Sequence, residues 1–471
     1  MAGLAPEMAS QTRRLRGPVG WTLLTTSIGF VIVQLDITIA NVALPQIAAE
    51  FSIGTSALQW IIDAYSLAFA TLLLTAGVAG DRFGSRRIFL AGLALFGCAS
   101  LGCGLAFSAS TLIVARAVQG VGAALILPTS LALIAHASGD DEQTRIGLIG
   151  WWSASGALAV AAGPVVGGFL ISWLGWRPIF LLNLPLCALG LLWTCTKVSE
   201  TSTTAEGRFD IIGLLLAALC LFFLTGTVIE AGRLGWTDPY VLAGFAIALA
   251  IAITFFRFEA AARDPMLQLD LFRVPGFSSA AYVGTVISLT FFGLAFVLSL
   301  YFQEVRAYSP AMAGLAFMPL TAVIMFANLI GGKIGAELGF RPPIIAGMAI
   351  AAAGNITLLS VGLGRAASFP ILAVGLGLIS IGTGVAAPAM MSAALAKVEH
   401  TRSGTASGVL TTARQVGGAV GIALFGSLVA GGTANIATGS TAIFLISATL
   451  LLIGAIVTLL GDEPRQPRVS H

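Results

Sequence analysis

Stretches of about 20 apolar residues recur from one end of this chain to the other, which is the length a helix needs to cross a bilayer. That recurrence limits the fold severely. Within a bilayer every backbone N–H and C=O must be satisfied by the protein itself, so only helices and closed barrels span it. Barrel strands, which alternate over about ten residues, are absent from the sequence. The expected spans lie near 18–40, 57–79, 88–107, 111–135, 146–171, 178–196, 211–230, 239–256, 277–302, 310–332, 343–362, 369–395, 404–430 and 440–460. The fold class is therefore an all-α integral membrane protein with about fourteen spans. Only 10% of the residues are charged, against about 25% in soluble domains.

Lys and Arg set the orientation of such a chain. If the N-terminus is inside, Arg177, Arg233, Arg306 and Arg365 face outward, and Arg116 and Arg414 lie within spans. The rest of the 24 Lys and Arg fall on the inner side, so both termini are expected in the cytoplasm of a plasma-membrane protein. Residues 1–17, with Arg13, Arg14 and Arg16 and no A-x-A site, read as a cytoplasmic tail rather than a signal peptide. A net charge of +3 without a long basic run offers nothing to nucleic acid. The five cysteines sit in apolar spans, and His136, His400 and His471 are scattered, so no metal site or cofactor is expected. Neither a nucleophile elbow nor a phosphate-binding loop is present, which leaves an ion gradient as the energy source.

The chain also echoes itself. Gly77, Gly80, Asp81, Arg82, Gly84, Arg86 and Arg87 belong to a loop string whose counterpart is Gly332–Pro342, with Ala336 where Asp81 stands. Thr144-Arg145-Ile146-Gly147 is matched by Thr401-Arg402-Ser403-Gly404. This divides the chain into a six-span bundle at 18–197, a linker with two additional spans at 198–275, a second bundle at 276–461 and a tail at 462–471. Parallel repeats with a central site are a transporter design.

Three ionisable residues lie inside spans of the first bundle. A carboxylate at that depth costs roughly 2.5–3.5 kcal/mol on insertion scales. Asp36 is expected some six to eight residues before the outer loop, with Asp63 and Arg116 about six residues beyond theirs, which places all three roughly 10 Å below the outer surface and within mutual reach. An Arg beside a carboxylate favours its ionised form, and desolvation favours the neutral one; that competition suits a proton switch. A permanent ion pair tying helices together is the alternative. Arg414 and Gln415 lie mid-span, as cavity residues or with Arg414 bonded to carbonyls. Asn328 and Asn355 read as interhelical hydrogen bonds, and Glu230, Glu304 and Arg306 as solvated span ends. Trp60, Tyr65, Trp151, Trp152, Phe291 and Phe292 either line an apolar cavity or simply pack.

Gly77–Arg87 resembles the loop signature of the major facilitator superfamily, and Arg116–Ala124 its fourth-helix motif. Gly156–Gly168 resembles its antiporter motif. Leu35–Pro45 and Trp176–Pro185 are similar to the fourteen-helix drug:proton antiporter branch, in particular antibiotic exporters of the methylenomycin-resistance type. The resemblance covers nearly the whole chain. It implies a major facilitator fold and, in a monomer, export of small amphipathic compounds, cations among them, driven by proton influx through the lipid bilayer. It further implies that Arg414 and Gln415 serve a central cavity. On this reading Asp36 and Arg116 couple the proton and Asp63 meets cationic substrates, or the two acids exchange these roles.

Each motif has its own physics. Gly156, Gly163, Gly167 and Gly168 allow close helix packing, and Pro164 removes one backbone bond. Asp81 either latches the cytoplasmic face through an Arg or caps a helix, while Arg82, Arg86 and Arg87 suffice to set topology. Two other functions stay open: carriage of one physiological solute, such as a lipid precursor, siderophore or sugar, and a membrane receptor or embedded enzyme without transport.

Overall fold

The computed structural model describes residues 17–139, 141–200, 210–262, 265–399 and 402–461. Among these residues are fourteen helices long and apolar enough to cross a bilayer. They are α1 Pro18–Phe51, α2 Thr55–Phe83, α3 Ser85–Gly104, α4 Ala109–Ser138, α5 Gly147–Leu174, α6 Pro178–Lys197 and α7 Ile211–Leu234. The remainder are α8 Pro239–Ala261, α9 Phe277–Val305, α10 Pro310–Gly335, α11 Arg341–Val361, α12 Phe369–Leu395, α13 Gly404–Leu428 and α14 Thr433–Leu460.

Local sequence sets the ends. Ser108 opens α4 with a capping box, its side chain accepting from the Thr111 N–H while Thr111 returns a bond to the Ser108 N–H. Asp210, Asp238 and Ser309 cap α7, α8 and α10 through their side chains. Between α2 and α3 the chain turns on Gly84 alone, at φ 94°, where a side chain would be strained. The largest departure from the sequence reading is α1. It was expected to end near residue 40 but runs on to Phe51, because Val42, Ala43, Leu44 and Ile47 continue the buried apolar pattern past Pro45. Asp36 is therefore roughly four turns from the end of its helix, not two.

The helices form two six-helix bundles related by a repeat. In the first, α1 packs on α4, α5 and α6, α2 packs on α4, and α3 packs on α4 and α6. In the second, α9 packs on α12, α13 and α14, α10 on α12, and α11 on α12 and α14. Each pairing of the first bundle thus recurs in the second. The bundles meet along two seams, α2 with α13 and α5 with α10, which the same repeat interchanges. Helix α7 lies against α2 and α13 beside the first seam, and α8 packs chiefly on α7.

The apolar core is continuous across both bundles at the end bearing the α1–α2 turn, where Ile39, Leu44, Ile62, Phe296, Phe302 and Phe425 belong to one buried cluster. Toward the opposite end it divides into one cluster per bundle. The molecule is therefore sealed at the α1–α2 end.

Candidate functional site

Asp36 and Arg116 are in contact. The Asp36 carboxylate is fully buried and pairs through Oδ2 with Nη1 of Arg116, which is equally buried. Its Oδ1 accepts from Gln119 Nε2 at 2.8 Å and from Asn183 Nδ2 at 3.1 Å. Both amides also donate to Ser100 Oγ, at 2.9 and 3.3 Å. Arg116 donates further to Gln119 Oε1 at 2.7 Å and to the Ile61 carbonyl at 3.2 Å, and its guanidinium lies 4.3 Å over the Tyr65 ring. Helices α1, α3, α4 and α6 each contribute a side chain, and α2 contributes the carbonyl and the ring. A buried ion pair recovers its desolvation cost only when its remaining lone pairs and protons are also satisfied. Here both oxygens of Asp36 are bonded, whereas Nη2 of Arg116 has no hydrogen-bond partner among the described residues.

Gln119, Ser100 and Asn183 were not singled out by sequence reasoning. The signal was available for two of them. Gln119 lies one helical turn from Arg116 in the same motif, and Asn183 is the lone amide in the Trp176–Pro185 string. Ser100 had no signal, since an isolated serine in an apolar span is unremarkable in sequence.

Asp63 stands apart from this network. It is fully buried, and neither carboxylate oxygen has a partner among the described residues. Arg116 reaches the carbonyl of Ile61, two residues earlier and so on the far side of α2 from Asp63. One turn before Asp63, Gln59 donates to the carbonyls of Ala423 at 2.7 Å and Ile422 at 3.2 Å on α13. Asp63 therefore lies on the α2 face that turns toward the α2–α13 seam. A small cavity opens there, lined by Asn41, Ile62, Ser66, Phe292, Gln415 and Ile422 among others. Gln415 thus reaches the space between the bundles. Arg414 turns into the second bundle, where its stem lies so close to Gly284 of α9 that a Cβ there would stand 3.1 Å from Cγ. Its Nε is unbonded, and among the described residues no acid pairs with it.

The glycines of α5 serve two neighbours. A side chain at Gly156, Gly163 or Gly167 would overlap Phe30, Thr38 or Ile39 of α1, and one at Gly168 would overlap the backbone of Pro310. A side chain at Gly314 of α10 would in turn overlap the carbonyl of Pro164. One helix is thus pressed against the Asp36 helix on one side and the second bundle on the other.

The string expected as a loop is helical except at Gly84: Gly77, Gly80, Asp81 and Arg82 lie in the last turns of α2, and Arg86 and Arg87 in the first turn of α3. Gly80 sits close under Thr129 of α4, Gly77 is more loosely placed near Pro128, and Arg86 donates to the carbonyls of Thr194 at 3.3 Å and Cys195 at 2.8 Å. Arg341, its counterpart in the repeat, donates to the carbonyls of Thr458 at 2.9 Å and Leu459. Each Arg caps the C-terminal end of the last helix of its own bundle, where a cation is favoured. Arg87 pairs with Glu200 at 3.5 Å, and Arg82 lies over the Phe83 ring. Asp81 is exposed and makes no ion pair with the described residues.

Of the remaining candidates, Asn355 bonds the Ala351 carbonyl within its own helix, and Glu230 pairs with Arg233. Arg306 bonds carbonyls of the α11–α12 connection. Trp60 packs on Phe222 of α7 and Trp152 stacks on Phe30; Trp151 is exposed, and only Phe292 lines the seam cavity.

This architecture defines a multi-pass membrane transport protein. The family model of the Major Facilitator Superfamily matches residues 26–422 and 280–471, and the chain belongs to that superfamily. It is 36% identical to the methylenomycin A resistance protein of Streptomyces coelicolor, over 93% of this chain and 91% of that one. It is 34% identical to the multidrug resistance protein Stp of Mycobacterium tuberculosis, over 87% of this chain and 75% of that one. Among solved structures it matches a bacterial homologue of the human lysosomal transporter Spinster in an inward-facing, unoccupied conformation. The TM-score is 0.64 at 17% identity, covering 94% of this chain and 97% of the other.

Proposed function

We propose that this transporter exports amphipathic drugs or antibiotics in exchange for protons, by alternating access. The observation that carries the reading is the sealed Asp36–Arg116 pair, a charge pair set in a network drawn from five helices of one bundle. Relatives named for resistance to antibiotics and to multiple drugs support the substrate class.

On the Lys/Arg asymmetry the α1–α2 end is outside, so the described state is closed outward. A proton arriving at Asp36 removes the counter-charge of Arg116 and leaves a buried cation that must find other acceptors. The disturbance has a short mechanical route. Thr38 and Ile39, just beyond Asp36, are the α1 residues against which Gly163 and Gly167 of α5 are packed, and α5 meets α10 across the seam at Pro164 and Gly314. Protonation thus acts on the helix that joins the bundles. Asp63 faces the seam with no partner among the described residues, and a buried carboxylate calls for a cation or hydrogen-bond donors. A cationic substrate entering from the α13 side would supply the missing charge. Gln415 lines the same space, and Arg414 offers a guanidinium that still lacks an acid.

The test is efflux from proteoliposomes under an imposed pH gradient, with a panel of cationic dyes and neutral antibiotics. Movement of several compounds with matching proton flux is expected. Movement of one compound alone would make the protein a dedicated carrier, and no movement with no proton response would remove the reading.

A further inference from the structure

Pro45 lies inside α1. A proline has no N–H, so the carbonyl of Asn41, four residues earlier, loses its helical donor. That carbonyl is not left orphaned. The buried hydroxyl of Ser299, on α9 of the other bundle, donates to it. Alongside, Gln303 Nε2 donates to the Val42 carbonyl at 2.9 Å. The α9 segment that follows Ser299 is itself irregular, a π-helix over Tyr301–Val305. Such turns are mostly single and frequent at functional sites. Helices α1 and α9 hold equivalent places in the two repeats, and both depart from regular helical bonding where they meet, at the sealed end of the molecule.

We propose that the Asn41 carbonyl freed by Pro45 and taken up by Ser299 is the tie that holds the outer end shut, made in the outward-closed state and broken each time that end opens. The proposal rests on the alternating-access reading above. An uninterrupted α1 would bond this carbonyl internally in both states and offer α9 no vacant acceptor. With Pro45 the acceptor is always available, and on opening both the carbonyl and the Ser299 hydroxyl pass to water. The tie therefore contributes the modest net strength of an ordinary hydrogen bond and stays reversible. Ser299 and Pro45 are positioning residues for the gate and need not touch the substrate.

Hydrogen exchange of the full-length protein in nanodiscs tests this directly. Peptides over the α1–α2 turn at 52–54 and the α9–α10 turn at 306–309 report the outer end. Peptides around Gly84 and Gly339 report the inner end. Ser299→Ala is expected to speed outer exchange by about three- to tenfold, the worth of one hydrogen bond, and to slow inner exchange, because opening one end closes the other. Pro45→Ala should act in the same direction, since it restores the internal donor. The double variant should go no further than the stronger single one. The proposal is overturned if outer exchange in Ser299→Ala matches wild type, if both ends loosen together, or if the two effects multiply. Should Ser299→Ala fail to fold, Gln303→Ala must give the same reciprocal pattern at smaller amplitude, and its absence overturns the proposal equally. If the reciprocal pattern appears but no proton-driven efflux exists, the tie stands and the exporter reading falls. If efflux is intact and exchange unchanged, the tie alone falls.

Discussion

The two buried acids of the first bundle have opposite surroundings, and their substitutions should diverge accordingly. Asp36 is bound by Arg116, Gln119 and Asn183, whereas Asp63 has no partner at either oxygen among the described residues. Asp36→Asn strands the Arg116 cation in the interior, and breaking a buried pair from one side costs about 3–5 kcal/mol. A lowered thermal midpoint in detergent is expected, with proton-driven efflux of every substrate lost. Asp63→Asn removes an unpaired group, so its thermal midpoint should equal or exceed that of the parent, with cationic substrates lost and neutral ones spared. A stability loss in Asp63→Asn as large as that in Asp36→Asn would mean that Asp63 has a partner in the membrane. Shared depth placed Asp36, Asp63 and Arg116 within reach of one another in sequence, but depth is only one coordinate. The angle around α2 decides which face a residue serves, and at about 100° per residue Ile61 and Asp63 look in nearly opposite directions. The Asp36–Arg116 contact was therefore legible, and the separation of Asp63 was not.

In the proposed mechanism helix α5 carries the coupling, and its glycines separate into crowded and open positions. Gly163 is pressed against Thr38, while Gly150 has no atom within 4 Å of where a Cβ would stand. Gly163→Val should cost about 1–3 kcal/mol by overpacking and abolish efflux, and Gly150→Ala should change neither. Thermal midpoints and transport of the two variants, measured together, decide whether the small-residue face is specific. The α2–α3 loop makes a different prediction. Asp81, in the last turn of α2, is exposed and pairs with none of the described residues, as a latch used in another state would be. Asp81→Asn should therefore slow turnover while substrate affinity holds. An unchanged rate in a well-expressed variant would reduce the loop to a topology signal. Fourteen helices were readable because a bilayer imposes a length and an apolarity on each one. The overrun of α1 to Phe51 was not readable from length, because about 20 residues already cross the bilayer and nothing in that count shows a helix continuing past it.

Across the whole molecule the repeat is visible in chemistry as well as in topology. Arg86 and Arg341 cap the last helices of their respective bundles, and the α2–α13 and α5–α10 seams exchange under the same relation. The echo of Gly77–Arg87 in Gly332–Pro342 carried that information in sequence. Partner choice along the seams depends on side-chain packing and was not written there. The Lys/Arg asymmetry predicts that a tag following His471, which lies outside the described residues, is labelled only after cells are permeabilised. Labelling of intact cells would reverse the assignment of the sealed end.

In the proposed exchange, substrate and proton compete through Asp36. Binding energies are reciprocal, so a substrate that is disfavoured by the proton must expel it. Proton release on adding substrate to the purified protein, followed with a pH dye in weakly buffered detergent, measures that linkage without a membrane or a gradient. Release is expected from the parent protein and none from Asp36→Asn; full release persisting in Asp36→Asn would contradict competition through Asp36.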